Sequence, residues 1–159
     1  MNNNQVLTLC VIMQFKHFIA DYPLQNGYML GKFKDRGWVL PLLAHCSVHS
    51  LFTLVIAWLY SQSLNIALLC ALLDGFVHFI MDRIKASPNL LGRFEALSKG
   101  EYRYLLEQKS HIQKLGLGNV NIIDQKFKNN TLFWYSLGLD QLCHHLTDIA
   151  VIAIIVWSV

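Results

Sequence analysis

The stretch LNIALLCALLDGFVHFIMDRI, residues Leu64 to Ile84, combines two properties that rarely coexist. It is long and apolar enough to cross the hydrocarbon core of a bilayer as a helix, which takes about 20 residues for about 30 Å. Yet Asp74, His78 and Asp82 recur in it at four-residue spacing, which places them on one helix face. A carboxylate at the centre of a membrane helix costs about 2.5–3.5 kcal/mol even on lenient insertion scales. Such a stripe has to face inward onto partners.

Three further apolar stretches flank it, and each carries polar residues in the same way. The first span is expected over about residues 6–25, with His17, Asp21 and then Gln25 at four-residue steps. Pro23 weakens the place of Gln25 in that series, because it biases Tyr22 away from helical geometry. The second, over about 38–60, has His45 and His49, and Pro41 falls in its first turn, where proline is tolerated. The third is the opening stretch, about 64–85. The fourth, about 131–157, has Asp140, His144 and Asp148. His145 lies about 100° around the helix from His144 and either replaces it or supports it. The expectation is therefore an all-α, single-domain membrane bundle of four helices, residues 1–159, with a long connection over about 86–130.

Composition agrees. Of the 159 residues, 54% are hydrophobic and 14% charged, against about 25% charged in a typical soluble domain. Mean hydropathy is +0.37. Cys10, Cys46, Cys70 and Cys143 lie in apolar stretches without a CxxC spacing, so they read as packing residues rather than a disulfide framework. The N-terminal stretch opens on Asn2, Asn3 and Asn4 and is interrupted by Lys16 and His17, so it reads as a retained helix and not as a signal peptide.

Charge distribution orients the bundle. Of the 13 Lys and Arg, all but Lys16 lie in or beside the first and third connections. In a four-span chain those connections share a side, and the positive-inside rule makes that side cytoplasmic. The expected location is the bacterial inner membrane, multi-pass, with both termini outside the cytoplasm. In the long connection Leu90, Leu91, Phe94 and Leu97, then Tyr102, Leu105 and Leu106, repeat near helical spacing among basic residues, as in a helix lying on an anionic leaflet. His111 reads as a surface residue.

Asp74 and Asp140, expected nearest mid-span, would together cost about 5–7 kcal/mol unpaired, most of a normal fold's margin. Lys16, with whichever histidines are protonated, is the only intramembrane cation expected to offset the aspartates. One or two divalent ions would close the gap. Carboxylates with imidazoles suit Zn²⁺, Mn²⁺ or Fe²⁺, and helix bundles build such sites at these spacings. The candidate ligands are His17, His45, His49, Asp74, His78, Asp82, Asp140 and His144. Asp21 or Asp148 is the spare carboxylate for a general base. Lys32, Lys34, Arg36 and Lys85 are candidates to hold an anionic lipid head group, and Gln25, Gln141 and His145 are further substrate contacts.

The blocks HFIADYPLQ (17–25), HCSVH (45–49), DGFVHFIMDRIK (74–85) and DQLCH (140–144) resemble, in order, the bacterial and phage membrane family called domain of unknown function 3307. Asp124-Gln125 repeats one dipeptide without the following histidine, so the last block is assigned to Asp140. The resemblance implies a membrane location and highlights the same polar positions, but implies no activity. A looser likeness, by analogy alone, links the chain to bacterial inner-membrane proteins regarded as metal-dependent hydrolases. No phosphate loop, nucleophile elbow, HExxH or nucleic-acid motif is present, and no nucleic-acid partner is expected. The leading expectation is a metal-dependent hydrolase acting on a membrane lipid or lipid-phosphate at the cytoplasmic leaflet. A metal-ion or proton transporter is the alternative, and a non-catalytic membrane factor with a structural metal is a third.

Overall fold

A computed structural model describes residues 1–34, 36–87, 99–116 and 131–159. The regular structure among the described residues is helical, with no strand. Helix α1 covers Asn3–Asp21, a short 3-10 helix covers Met29–Phe33, and α2 covers Val39–Ser61. Helix α3 runs Leu64–Ala86, α4 Lys99–Leu115 and α5 Thr131–Ser158. Three of these are long and apolar enough to cross a membrane: Val39–Ser61, Leu64–Ala86 and Trp134–Ser158.

Helix α1 starts earlier and stops sooner than its hydropathy suggests. Asn2 accepts a hydrogen bond from the Gln5 backbone while the Gln5 side chain accepts one from Asn2 N–H, a reciprocal cap that begins the helix ahead of the apolar run. The helix ends at Asp21, ahead of Pro23, so Gln25 leaves the helical face it would have continued. Helices α2 and α3 form a tight antiparallel hairpin, closed by Gln62 in the left-handed conformation (φ 53°). Gly75 belongs to this contact: a Cβ there would collide with Ser50 Oγ.

Around the bundle the order is α1, α2, α3, α5, with α1 touching α2 and α5 and lying diagonally opposite α3. At the end carrying the α2–α3 turn, the core is apolar: Leu9 and Met13, Ile56 and Ala57, Ala67 and Cys70, and Val151, Ile152 and Ile155 pack together. From there to the opposite end the interior is polar. Meanwhile Leu7, Val11, Phe15 and Phe18 of α1 and Tyr22 just after it are exposed, as are Leu51, Val55, Leu72, Phe76, Leu142, Leu146 and Ile149 of the other helices. The usual arrangement of a water-soluble bundle is inverted over this half of the molecule.

In the long connection, α4 carries Tyr102, Leu105 and Leu106 of the expected amphipathic segment, and His111 is exposed. Leu90, Leu91, Phe94, Leu97 and Asp124-Gln125 lie outside the described residues.

Candidate metal centre

The polar interior is layered, because each helix contributes residues at successive turns. Nearest the apolar core, Lys16 on α1 reaches across the bundle to Asp74 on α3 (2.8 Å) and to Asp148 on α5 (3.3 Å). Thr53 Oγ donates to the same Asp74 oxygen at 2.6 Å. Thr53 was not among the sequence candidates, although it extends the four-residue series His45, His49 by one more step.

One turn on, imidazoles from four helices meet. His49 and His78 have ring centroids 3.8 Å apart, and His78 and His144 are stacked at 4.0 Å. His17 lies 5.3 Å from His49, 5.5 Å from His78 and 5.1 Å from His144. His45 lies 4.8 Å from His49. All five rings are buried. Asp21 sits among them, with its carboxylate 3.0 Å from His17 Nε2, 3.4 Å from His45 Nε2 and 3.1 Å from His49 Nε2. At 16% side-chain exposure it is the point where this layer opens to the surface.

The third layer is an ion-pair network. Asp82 pairs with Lys32 (2.5 Å) and Lys85 (3.1 Å), and its Oδ2 is 3.1 Å from His45 Nε2. Lys85 also bonds Asp140 at 2.7 Å, and Asp140 lies 3.3 Å from His144 Nε2. Gln25 accepts from Lys32 at 3.0 Å. Asp140 therefore stands level with Asp82 and Lys85, and it is Asp148 that stands level with Asp74. The expectation from span midpoints has Asp140 level with Asp74 and Asp148 beyond it; both stand farther from the α2–α3 turn end, because α5, at 28 residues, is longer than its partners.

The set of interior cations also changes. Lys32 belongs to the connection in sequence, yet it is buried (2% exposed), because the 3-10 helix folds back onto α2. Gly31 permits that approach: a Cβ there would lie 2.9 Å from Pro41 Cγ. With Lys85, the interior holds three lysines among the described residues rather than Lys16 alone. No helical periodicity marks Lys32, so the sequence offered no signal for its burial. Lys34 and Arg36 are exposed, Gln141 Nε2 is 3.5 Å from Asp140, and half-buried His145 has its ring 5.8 Å from that of His17.

Hydrogen bonding leaves the imidazole layer incomplete. His78 Nδ1 is 3.0 Å from the Asp74 carbonyl and 3.1 Å from its carboxylate, so it carries the proton and leaves buried Nε2 as a lone pair without a partner. His49 bonds Asp21 through Nε2, leaving Nδ1 unpartnered. His17 and His45 lack a hydrogen-bond partner on either nitrogen, because the nearby carboxylates are close but misaligned. His144 Nδ1 is also unpartnered. An unsatisfied buried polar group costs about 1–3 kcal/mol, so bare ring nitrogens at His49 and His78 are costly unless something binds them.

Three groups bring one ligand atom from each member within 4.8 Å of one another: His17, His49 and His78; Asp21, His45 and His49; and Asp82, Asp140 and His144. Tetrahedral zinc, with bonds of about 2.0–2.1 Å, separates its ligand atoms by about 3.3 Å. Small side-chain movements would close any of these groups onto one ion.

The family described as "Protein of unknown function (DUF3307)" matches residues 7–159. The chain belongs to this family. The match covers every layer of the interior from Leu9 to Ile155, so the His/Asp arrangement lies wholly within the family's extent. No curated protein and no solved structure matches the chain.

Proposed function

We propose that this family member is a four-span inner-membrane protein with a metal-dependent hydrolase centre facing the cytoplasmic leaflet. The observation that carries the reading is the set of buried imidazoles on His17, His49 and His78, each with a ring nitrogen lacking a hydrogen-bond partner. Three ligands from three helices with a fourth position left open is the usual make-up of a catalytic zinc site.

Three features support α1 as the fourth span. Its charged residues Lys16, His17 and Asp21 point into the bundle, while Leu7, Val11, Phe15 and Phe18 form an exposed apolar stripe. At 19 residues it is about 28 Å long. A membrane helix whose charged residues face inward onto partners is tolerated at a hydropathy that would otherwise exclude it. With four spans, the basic connections share the cytoplasmic side, and the polar layers lie in that half of the bilayer.

Within the centre, a bound divalent ion would acidify a water toward a pKa of about 7 and polarise an ester or phosphate oxygen. The Asp74 main-chain carbonyl holds the His78 tautomer by accepting from Nδ1, the supporting role that a backbone carbonyl plays behind a metal-bound imidazole. Asp21, within 3.1 Å of His49 and the most exposed carboxylate of this layer, would be the group to accept a proton there. Asp148 is the weaker candidate for this role, since Lys16 holds one of its oxygens. Lipid or lipid-phosphate substrates suit an opening that lies beside apolar surface. The apolar core at the α2–α3 turn end favours a one-sided site over a path through the bilayer.

The test is hydrolysis of phospholipid and lipid-phosphate esters in mixed micelles by metal-loaded protein. Activity lost in His78→Ala and in Asp21→Asn, with both variants folded, is the expected outcome. Full activity in both would refute the assignment. Ion flux in proteoliposomes, abolished by His78→Ala, would replace it with transport.

A further inference from the structure

The proposed centre contains more potential ligands than one ion needs, and the third candidate group, Asp82, Asp140 and His144, invites a second ion. Its charges argue otherwise. Asp82 and Asp140 already bond two ammonium groups, Lys32 on Asp82 and Lys85 on both. Two carboxylates and two lysines form a neutral set, and a divalent ion added to it would be an uncompensated double charge in a buried site.

Around the imidazole layer the partners differ. Among the described residues, lysine contacts reach Asp74, Asp148, Asp82 and Asp140, whereas Asp21 meets the imidazoles of His17, His45 and His49. The group whose ligand atoms no ammonium already holds is His17, His49 and His78, each with a buried ring nitrogen lacking a hydrogen-bond partner. The Asp21, His45 and His49 group shares His49 with it, so the two do not offer separate sites.

We propose that the centre is mononuclear, with a single divalent ion on His17, His49 and His78, and that Lys32 and Lys85 occupy the place of a second ion on Asp82, Asp140 and His144. Lys32 is delivered by the 3-10 helix, which Gly31 seats against Pro41, so the connection between α1 and α2 is built to supply this charge. The proposal rests on the metal reading above and narrows it: the chemistry is that of one ion with Asp21, not of a two-metal clamp.

The experiment is elemental analysis of the full chain in detergent after loading with Zn²⁺ and removal of excess. The wild type is expected to retain one zinc per chain, His49→Ala none, and Asp140→Asn one. Lys32→Met with Lys85→Met, which frees both carboxylates, is expected to retain two. Two zincs in the wild type would overturn the mononuclear assignment and leave the metal reading standing, whereas none would overturn both. One zinc in the folded double lysine variant would also overturn the role given to the lysines. If that variant does not fold, Asp140→Asn decides: retention of the single zinc supports the proposal and its loss overturns it.

Discussion

Replacing Lys16 by methionine tests whether α1 is bolted into the bundle as described. The ammonium is 1% exposed and lies 2.8 Å from Asp74 and 3.3 Å from Asp148, both of which are fully buried. Methionine fills much of the same volume but leaves two carboxylates facing each other without a cation. Removing one partner of a buried ion pair costs about 3–5 kcal/mol, a large fraction of the about 5–15 kcal/mol that holds a typical domain together. Exposed pairs contribute about 0–1 kcal/mol. The measurement is equilibrium unfolding of purified protein in mixed micelles, followed by helical circular dichroism, with the exposed Lys34→Met as control. Lys16→Met is expected to lose about 3–5 kcal/mol and Lys34→Met less than about 1. Adding Asp148→Asn to Lys16→Met removes one orphaned charge and should recover part of the loss. A Lys16→Met variant within about 1 kcal/mol of wild type, or a double variant worse than the single, would refute the diagonal ion pair and with it the docking of α1.

Other parts of the structure give shorter tests. Gly75→Ala should destabilise the protein by about 1–3 kcal/mol because the added methyl meets Ser50 Oγ, and the double variant with Ser50→Ala should restore most of it in the same unfolding assay. Gly31→Val should lift the 3-10 helix from Pro41 and expose Lys32, seen as a rise in its labelling by an amine-reactive reagent. A cysteine replacing Ser110 on α4 should react with an impermeant maleimide from the cytoplasmic side alone, and one replacing Ser63 from the opposite side alone; the reverse pattern would invert the proposed orientation. His111→Ala, at an exposed position of α4, should leave bound zinc unchanged by elemental analysis.

The agreement between sequence and structure is strongest where helical periodicity carries the information. Asp74, His78 and Asp82 share a face because four residues make just over one turn, and any helix through them turns all three the same way. The same holds for His45 with His49 and for Asp140, His144 and Asp148. Lipid-length apolar runs with polar stripes leave one packing solution, polar faces inward, so α2, α3 and α5 and the convergence of their histidines were legible from spacing alone. The bounds of α1 were less so, because the Asn2–Gln5 cap and the stop before Pro23 outweighed the extent of its apolar run.

What spacing does not encode is height along the bundle and the company each side chain keeps. The relative sliding of antiparallel helices put Asp140 beside Lys85 and Asp148 beside Lys16, and that sliding depends on turn geometry and on contacts such as Gly75 against Ser50. Lys32 entered the interior through a connection with no periodic signal, because Gly31 could approach Pro41. The sequence by itself determined that acids and imidazoles line the inside of an apolar helical bundle, since helix period and the cost of exposing charge to hydrocarbon leave little choice. Only the tertiary structure decided which acids are answered by lysines and which imidazoles are left with bare lone pairs, because that depends on distances between elements far apart in the chain.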